Sequence, residues 1–266
     1  MTATNARRVL ITGTTSGVGR ALLEYYANGG ASIICVNRRH VGELESQYPS
    51  VRFEYVDVRS AEDVDKLVRR LAASGELPEV FILNAGINRV DNDESFQLSA
   101  YRDVIDTNLY GVLNFVQPLT ELPADNVQRH LVAISSMANY VGNPYGLGYT
   151  TSKKALTACF NVWSQMYANT DLVFQQVMLG PVRTAIYTMA DKFPLWMVSL
   201  KNLFSAPLDG TVRAIARFAL TRKKKLFYPW RACPLYVGMW LSQCLIPGFF
   251  RGRRTLEGKA RRVEAR

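Results

Sequence analysis

Short runs rich in Val, Ile, Leu and Phe recur along the chain at VLIT (9–12), SIICV (32–36), RFEYV (52–56), VFILN (80–84), HLVAIS (130–135) and LVFQQV (172–177), with longer amphipathic stretches between them. Their apolarity is largely continuous rather than alternating, which points to strands covered on both faces, the pattern of a parallel sheet built from βαβ units. Helices are expected between the strands, near 17–29, 61–74, 99–120, 149–168 and 207–220, and Leu226 to Tyr228 are expected to form the last strand. No internal repeat or low-complexity segment interrupts this order. The 266 residues, 48% of them hydrophobic, therefore suit one doubly wound α/β domain over 1–229 and a C-terminal tail over 230–266.

The net charge of +10 suggests nucleic acid until its distribution is considered. Residues 221 to 266 carry twelve Lys or Arg against two Glu, while the first 220 residues carry twenty charges of each sign, so the whole excess belongs to the tail. A nucleic-acid surface would set basic residues among polar or stacking neighbours. Here they surround Cys233 to Phe250, eighteen residues without a charge, and no nucleic-acid partner is expected. A membrane span needs about 20 apolar residues, and this run is interrupted by Pro234, Ser242, Gln243 and Pro247. With Trp230, Tyr236 and Trp240 in it and Lys/Arg on both flanks, the tail is expected to lie on a membrane surface as an interfacial helix or shallow hairpin. The alternative is that it packs on the sheet or on a second subunit. The N-terminal MTATNARRVLIT has no apolar stretch before the first strand, so export is not expected. Cys35, Cys159, Cys233 and Cys244 lack metal spacing, and the only histidines are His40 and His130. Reduced thiols, no metal, and a cytoplasmic protein held peripherally at the cytoplasmic face of a membrane are the expectations.

Directly after the first strand comes TGTTSGVG, Thr12 to Gly19. Gly13, Gly17 and Gly19 would permit a tight turn, let backbone approach a pyrophosphate and bring helix close to strand, so that Thr15, Ser16, Gly17 and Val18 line a Rossmann-type phosphate loop at a helix N-terminus. The spacing is T-G-x-x-x-G-x-G, not G-x-G-x-x-G, and here the chain resembles the short-chain dehydrogenase/reductase family. LNAG (83–86) resembles the family's N-N-A-G with Leu83 in place of the first Asn. YTTSK (149–153) resembles its Y-x-x-x-K with Ser136 thirteen residues upstream, Asn108 matches the helix asparagine, and GPVRT (180–184) matches the P-G region with the two residues reversed. The five motifs span residues 12 to 184, and the resemblance ends near residue 229.

The resemblance implies that Asn84, Ala85, Gly86, Pro181, Val182 and Thr184 contact a nicotinamide dinucleotide, with Asp57 and Val58 at its adenine. The second strand ends in Asn37, Arg38 and Arg39 without the carboxylate that would hold a ribose 2′-hydroxyl, so the 2′-phosphate of NADP(H) is expected, held by Arg38 ahead of Arg39. Tyr149 and Lys153, four apart, share one helical face, where an ammonium lowers the phenol pKa and makes Tyr149 the proton donor and acceptor. By resemblance Ser136, with Ser135 as the adjacent alternative, bonds the substrate carbonyl, and Asn108 holds a water that links Lys153 to solvent. The segment 182–206 would cover the substrate with Phe193, Trp196, Met197 and Phe204 among its residues, which suits a hydrophobic, lipid-like small molecule. Leu156, Cys159, Phe160 and Trp163 form a stripe of core or subunit interface, and a homo-oligomer, dimer or tetramer, is expected. The expected chemistry is NADPH-dependent interconversion of a ketone or aldehyde and an alcohol; the alternative is a non-catalytic NADP(H)-binding regulator that docks a partner or membrane through its tail.

Overall fold

The computed structural model describes residues 7–89, 96–141, 146–183 and 203–245. Seven strands, β1 (Arg8–Thr12), β2 (Ser32–Asn37), β3 (Arg52–Tyr55), β4 (Val80–Leu83), β5 (Arg129–Ser136), β6 (Leu172–Leu179) and β7 (Lys225–Tyr228), form one parallel sheet in the order β3-β2-β1-β4-β5-β6-β7. This is the doubly wound, Rossmann-type single domain expected from the apolar runs. Successive side chains of a strand leave on opposite faces, and the core divides accordingly. Val9 and Ile11 pack on one face with α1 (Gly17–Asn28), and Leu10 packs on the other with α3 (Ala61–Ala73).

The helices follow from local chemistry. In α3 the Ser60 hydroxyl accepts from the Asp63 amide, Glu62 and Asp63 sit in the first turn, and Val64, Leu67, Val68 and Leu71 make the buried stripe. A short helix that the patterns did not announce, α2 (Gly42–Gln47), follows β2. The helix expected over 99–120 is divided into α4 (Leu98–Ile105), a π-helical turn (Asp106–Tyr110) and α5 (Gly111–Glu121). A π turn accommodates an extra residue and often marks a functional position; Asn108 is buried within it. After β5 comes a 3-10 turn (Met137–Tyr140), then α6 (Leu147–Met166), α7 (Leu208–Phe218) and α8 (Cys233–Leu245). Thr184, most of the segment 182–206 and the chain beyond Leu245 lie outside the described residues.

Candidate active site

The strand order turns back between β1 and β4, where the carboxyl ends of a doubly wound sheet leave a ligand crevice. Glycines shape the loop at this point. Gly13 and Gly17 have φ of 71° and 58°, left-handed values that cost other residues free energy. A Cβ on Gly13 would stand 2.9 Å from the Ala85 Cα, and one on Gly19 would stand 2.0 Å from the Gly13 carbonyl oxygen. The loop is thus pressed against Asn84–Gly86 and stitched to it. Asn84 Nδ2 donates to the carbonyls of Thr12 (3.0 Å) and Gly13 (3.1 Å), and the Thr12 hydroxyl accepts from the amides of Asn84 (3.0 Å) and Ala85 (2.9 Å).

Asn37 holds the loop from the other side. Its Oδ1 accepts from the Thr14 amide and its Nδ2 donates to the Thr14 hydroxyl, both at 2.9 Å and both buried. Thr15 and Ser16 are left exposed. Ser16 makes no side-chain cap to α1, and the first turn holds no acidic residue, so neither cap nor first turn answers the helix's free amides and the positive end of its dipole. A cradle with no room for side chains and an uncompensated helix start fit a pyrophosphate. Arg38 and Arg39 stand exposed beyond Asn37. Asp57 is held by Arg59, whose Nη2 lies 2.7 Å from Oδ2, and this partner keeps its carboxyl below the ordinary range. Val58 is buried, so close to Gly111 that a Cβ there would lie 2.7 Å from Cγ2.

At the carboxyl end of β5 the two serines part. The Ser135 hydroxyl shares a hydrogen bond with Thr157 at 3.1 Å, beneath α6, whereas Ser136 donates to the Leu179 carbonyl (3.3 Å), accepts from the Ala138 amide (3.1 Å) and is hydrogen-bonded to Tyr149. Burial pushes the Tyr149 phenol above its ordinary 10.0 although the Ser136 bond works against this. Lys153 Nζ donates to the Ile134 carbonyl at 2.7 Å and lies 5.8 Å from the centre of the Tyr149 ring. Burial lowers its pKa from 10.5 to about 8. Asn108 ties α6 to the segment after β4: its Oδ1 accepts from the Ile87 amide (2.7 Å), and its Nδ2 donates to the Ile87 carbonyl (2.9 Å) and to the Ser152 hydroxyl (3.1 Å). Ser152 donates in turn to the Tyr149 carbonyl at 2.8 Å.

Gly180, Pro181 and Val182 follow β6 toward the same end of the sheet, and Val182 pairs with Ala206 in an isolated parallel bridge. The histidines stand apart. His130 is buried between Gln175 and Gln128, and exposed His40 stacks on Tyr55. Among the described residues no group of three His, Cys, Asp or Glu could hold a metal.

A family model described as short chain dehydrogenase matches residues 7–193. The chain belongs to this family. A short-chain dehydrogenase is an oxidoreductase that works with a nicotinamide dinucleotide, and the crevice between β1 and β4 is where this one would hold it. An uncharacterised oxidoreductase of Myxococcus xanthus is 29% identical over 233 residues, 85% of this chain and 88% of that protein. The 3-oxoacyl-(acyl-carrier-protein) reductase of Thermotoga maritima is 26% identical over 191 residues, 70% of this chain and 76% of its own. A short-chain dehydrogenase structure from Streptomyces avermitilis superimposes with a TM-score of 0.75 at 20% identity, covering 98% of this chain and 97% of that one. Three supporting roles in this short-chain dehydrogenase are not read from the motifs: the Thr12 hydroxyl holding Asn84 and Ala85, Asn37 locking Thr14, and Ser152 bonded to Asn108. A polar side chain closing an otherwise apolar strand was the available signal for Asn37.

Proposed function

We propose that this short-chain dehydrogenase interconverts a ketone or aldehyde and an alcohol with NADP(H), on an apolar, lipid-like substrate. The observation that carries the proposal is the convergence of Ser136, Tyr149 and Lys153 at the carboxyl end of the sheet that also presents the loop and the exposed Arg38 and Arg39. Amides of Thr15 to Val18 would hold the pyrophosphate, Asn84 to Gly86 and Lys153 the nicotinamide half, Pro181 and Val182 its ring, and Asp57 and Val58 the adenine. Arg38 and Arg39 offer planar, permanently charged donors for a 2′-phosphate. β2 itself ends in Asn37, turned inward onto Thr14, and not in a carboxylate that would repel that phosphate, while the nearby Asp57 is paired with Arg59.

When bound, the dinucleotide supplies a hydride to the carbonyl carbon. The Ser136 hydroxyl orients the carbonyl oxygen. The Tyr149 hydroxyl gives that oxygen its proton, and the O–H pair stays behind on the phenolate. The Lys153 ammonium stabilises the phenolate, and its anchor on the Ile134 carbonyl fixes where that charge lies. A water on Asn108 would return the proton through Lys153; both amide hydrogens of Asn108 are already used, so such a water would meet Oδ1 or the main-chain carbonyl.

The test is NADPH oxidation against aliphatic ketones of increasing chain length, with dinucleotide affinity measured by fluorescence. Tyr149→Phe is expected to lower turnover by about 10²–10⁴ with NADPH affinity kept, and Arg38→Asp to erase the preference for NADPH over NADH. Equal affinity of the parent chain for both dinucleotides, or no gain with chain length, would overturn the corresponding half of the proposal.

A further inference from the structure

Exposed apolar side chains collect on one shoulder of the molecule. Trp230 is 77% exposed, Val237 55%, Trp240 49% and Leu241 43%, and beside them Tyr140 and Phe227 stack half open with ring centres 6.3 Å apart. Helix α8 accounts for most of this. Its inner side sets Cys233 and Tyr236 on the cluster of Met137, Met178 and Ala232, which turns Val237, Trp240 and Leu241 outward at the three- and four-residue spacing of one helical face. The helix holds no charge in thirteen residues, CPLYVGMWLSQCL. Contiguous apolar surface of this kind marks a contact with something.

We infer that this shoulder docks on an anionic lipid bilayer, with α8 lying along the surface. Thirteen residues make a helix about 20 Å long, against roughly 30 Å of hydrocarbon, and no helix among the described residues is long and apolar enough to cross a membrane. Tryptophan favours the boundary between headgroups and acyl chains. Charge decides between a bilayer and a second copy of the chain. The sequence after Leu245 carries seven Lys or Arg against two Glu in twenty-one residues, and it departs from the end of this helix. A two-fold contact would bring two such cationic segments together, whereas an anionic surface attracts each Lys or Arg by about 1 kcal/mol. The other basic cluster, Arg222 to Lys225, enters β7 from its opposite end, about 13 Å away along the strand.

The docked face continues into the active site. Tyr140 belongs to the turn that begins directly after Ser136, and Phe204 packs on the same Met137–Met178 cluster. On the reading that the substrate is apolar, docking sets the mouth of the crevice at the bilayer, and the substrate passes into it without crossing water.

The experiment is flotation of the full chain with phosphatidylcholine vesicles, with and without phosphatidylglycerol, at low and high salt. The parent protein should float with the anionic vesicles, less at high salt. Val237→Glu with Leu241→Glu should lower the bound fraction about tenfold while thermal unfolding and NADPH affinity stay as in the parent. Equal flotation of parent and variant, no binding by the parent, or a drop of the variant to a smaller oligomer in sedimentation each overturns the inference; the last would make the shoulder an interface between copies. Turnover of a water-soluble carbonyl by the variant tests the reductase proposal separately.

Discussion

Tyr149 is under opposed influences, burial raising its pKa and the Ser136 hydrogen bond lowering it. Reduction needs the protonated phenol, so kcat/KM for reduction should stay level through neutral pH and fall only on the alkaline side, as Tyr149 loses its proton. Ser136→Ala removes a bond that favours the phenolate. The alkaline limb should therefore move to higher pH, with turnover lowered as well; a limb that stays in place would show that another group titrates there. Lys153 has a linked effect on stability. Its folded pKa of about 8 lies below the ordinary 10.5, so between these values the unfolded chain binds the extra proton and folding is favoured more as pH rises. In Lys153→Met, chemical denaturation between pH 8 and 10 should lose this rise.

At the scale of elements, the crowding around the phosphate loop leaves little tolerance. Gly19→Ala would put a methyl into the Gly13 carbonyl, a backbone atom that cannot swing away, at an overpacking cost of about 1–3 kcal/mol. Dinucleotide affinity should fall by more than about tenfold, seen by fluorescence titration, because the loop must reopen against Asn84. Most elements were legible in the sequence because buried parallel strands must be apolar, which is why the runs at β1, β2, β4, β5 and β6 stand out, whereas β3, RFEY at the sheet edge, is only partly buried and was marked by Phe53 and Tyr55 alone. The π turn at Asp106–Tyr110 was not legible, since one extra residue in a helix leaves the apolar period nearly unchanged over so short a length. Helix α2 escaped because six residues with one buried Leu44 carry almost no periodicity. In the site, Ser136 and Tyr149 could be paired by spacing. The bond from Asn108 to Ser152 could not, because it joins residues 44 apart whose approach exists only once α6 lies across the π turn.

For the whole molecule, the expected homo-oligomer is a proposal with a surface to support it. Val162 and Met166, 53% and 68% exposed and four apart on α6, present an apolar stripe on the outside of a helix whose Leu156 and Phe160 are buried. Sedimentation should show a dimer or tetramer, and Val162→Glu with Met166→Glu should shift it toward monomer while each subunit keeps its fold. The bridge between Val182 and Ala206 has a different reach. The Arg183 amide donates to the Ala206 carbonyl at 3.1 Å and the Ala206 amide to the Pro181 carbonyl at 2.8 Å, so the frame itself clasps the two ends of everything between. When the two ends of a segment are held by the frame, its length can change cheaply if it is flexible, at about 0.6 kcal/mol for each doubling. Replacing 185–202 by a short Gly/Ser linker, with Thr184 kept, should therefore leave unfolding temperature and dinucleotide affinity close to the parent's, while turnover is lost. Under the proposed function the clasp makes that stretch an interchangeable part: mutation there would redraw what the enzyme accepts, while the machinery that moves hydride and proton is left alone.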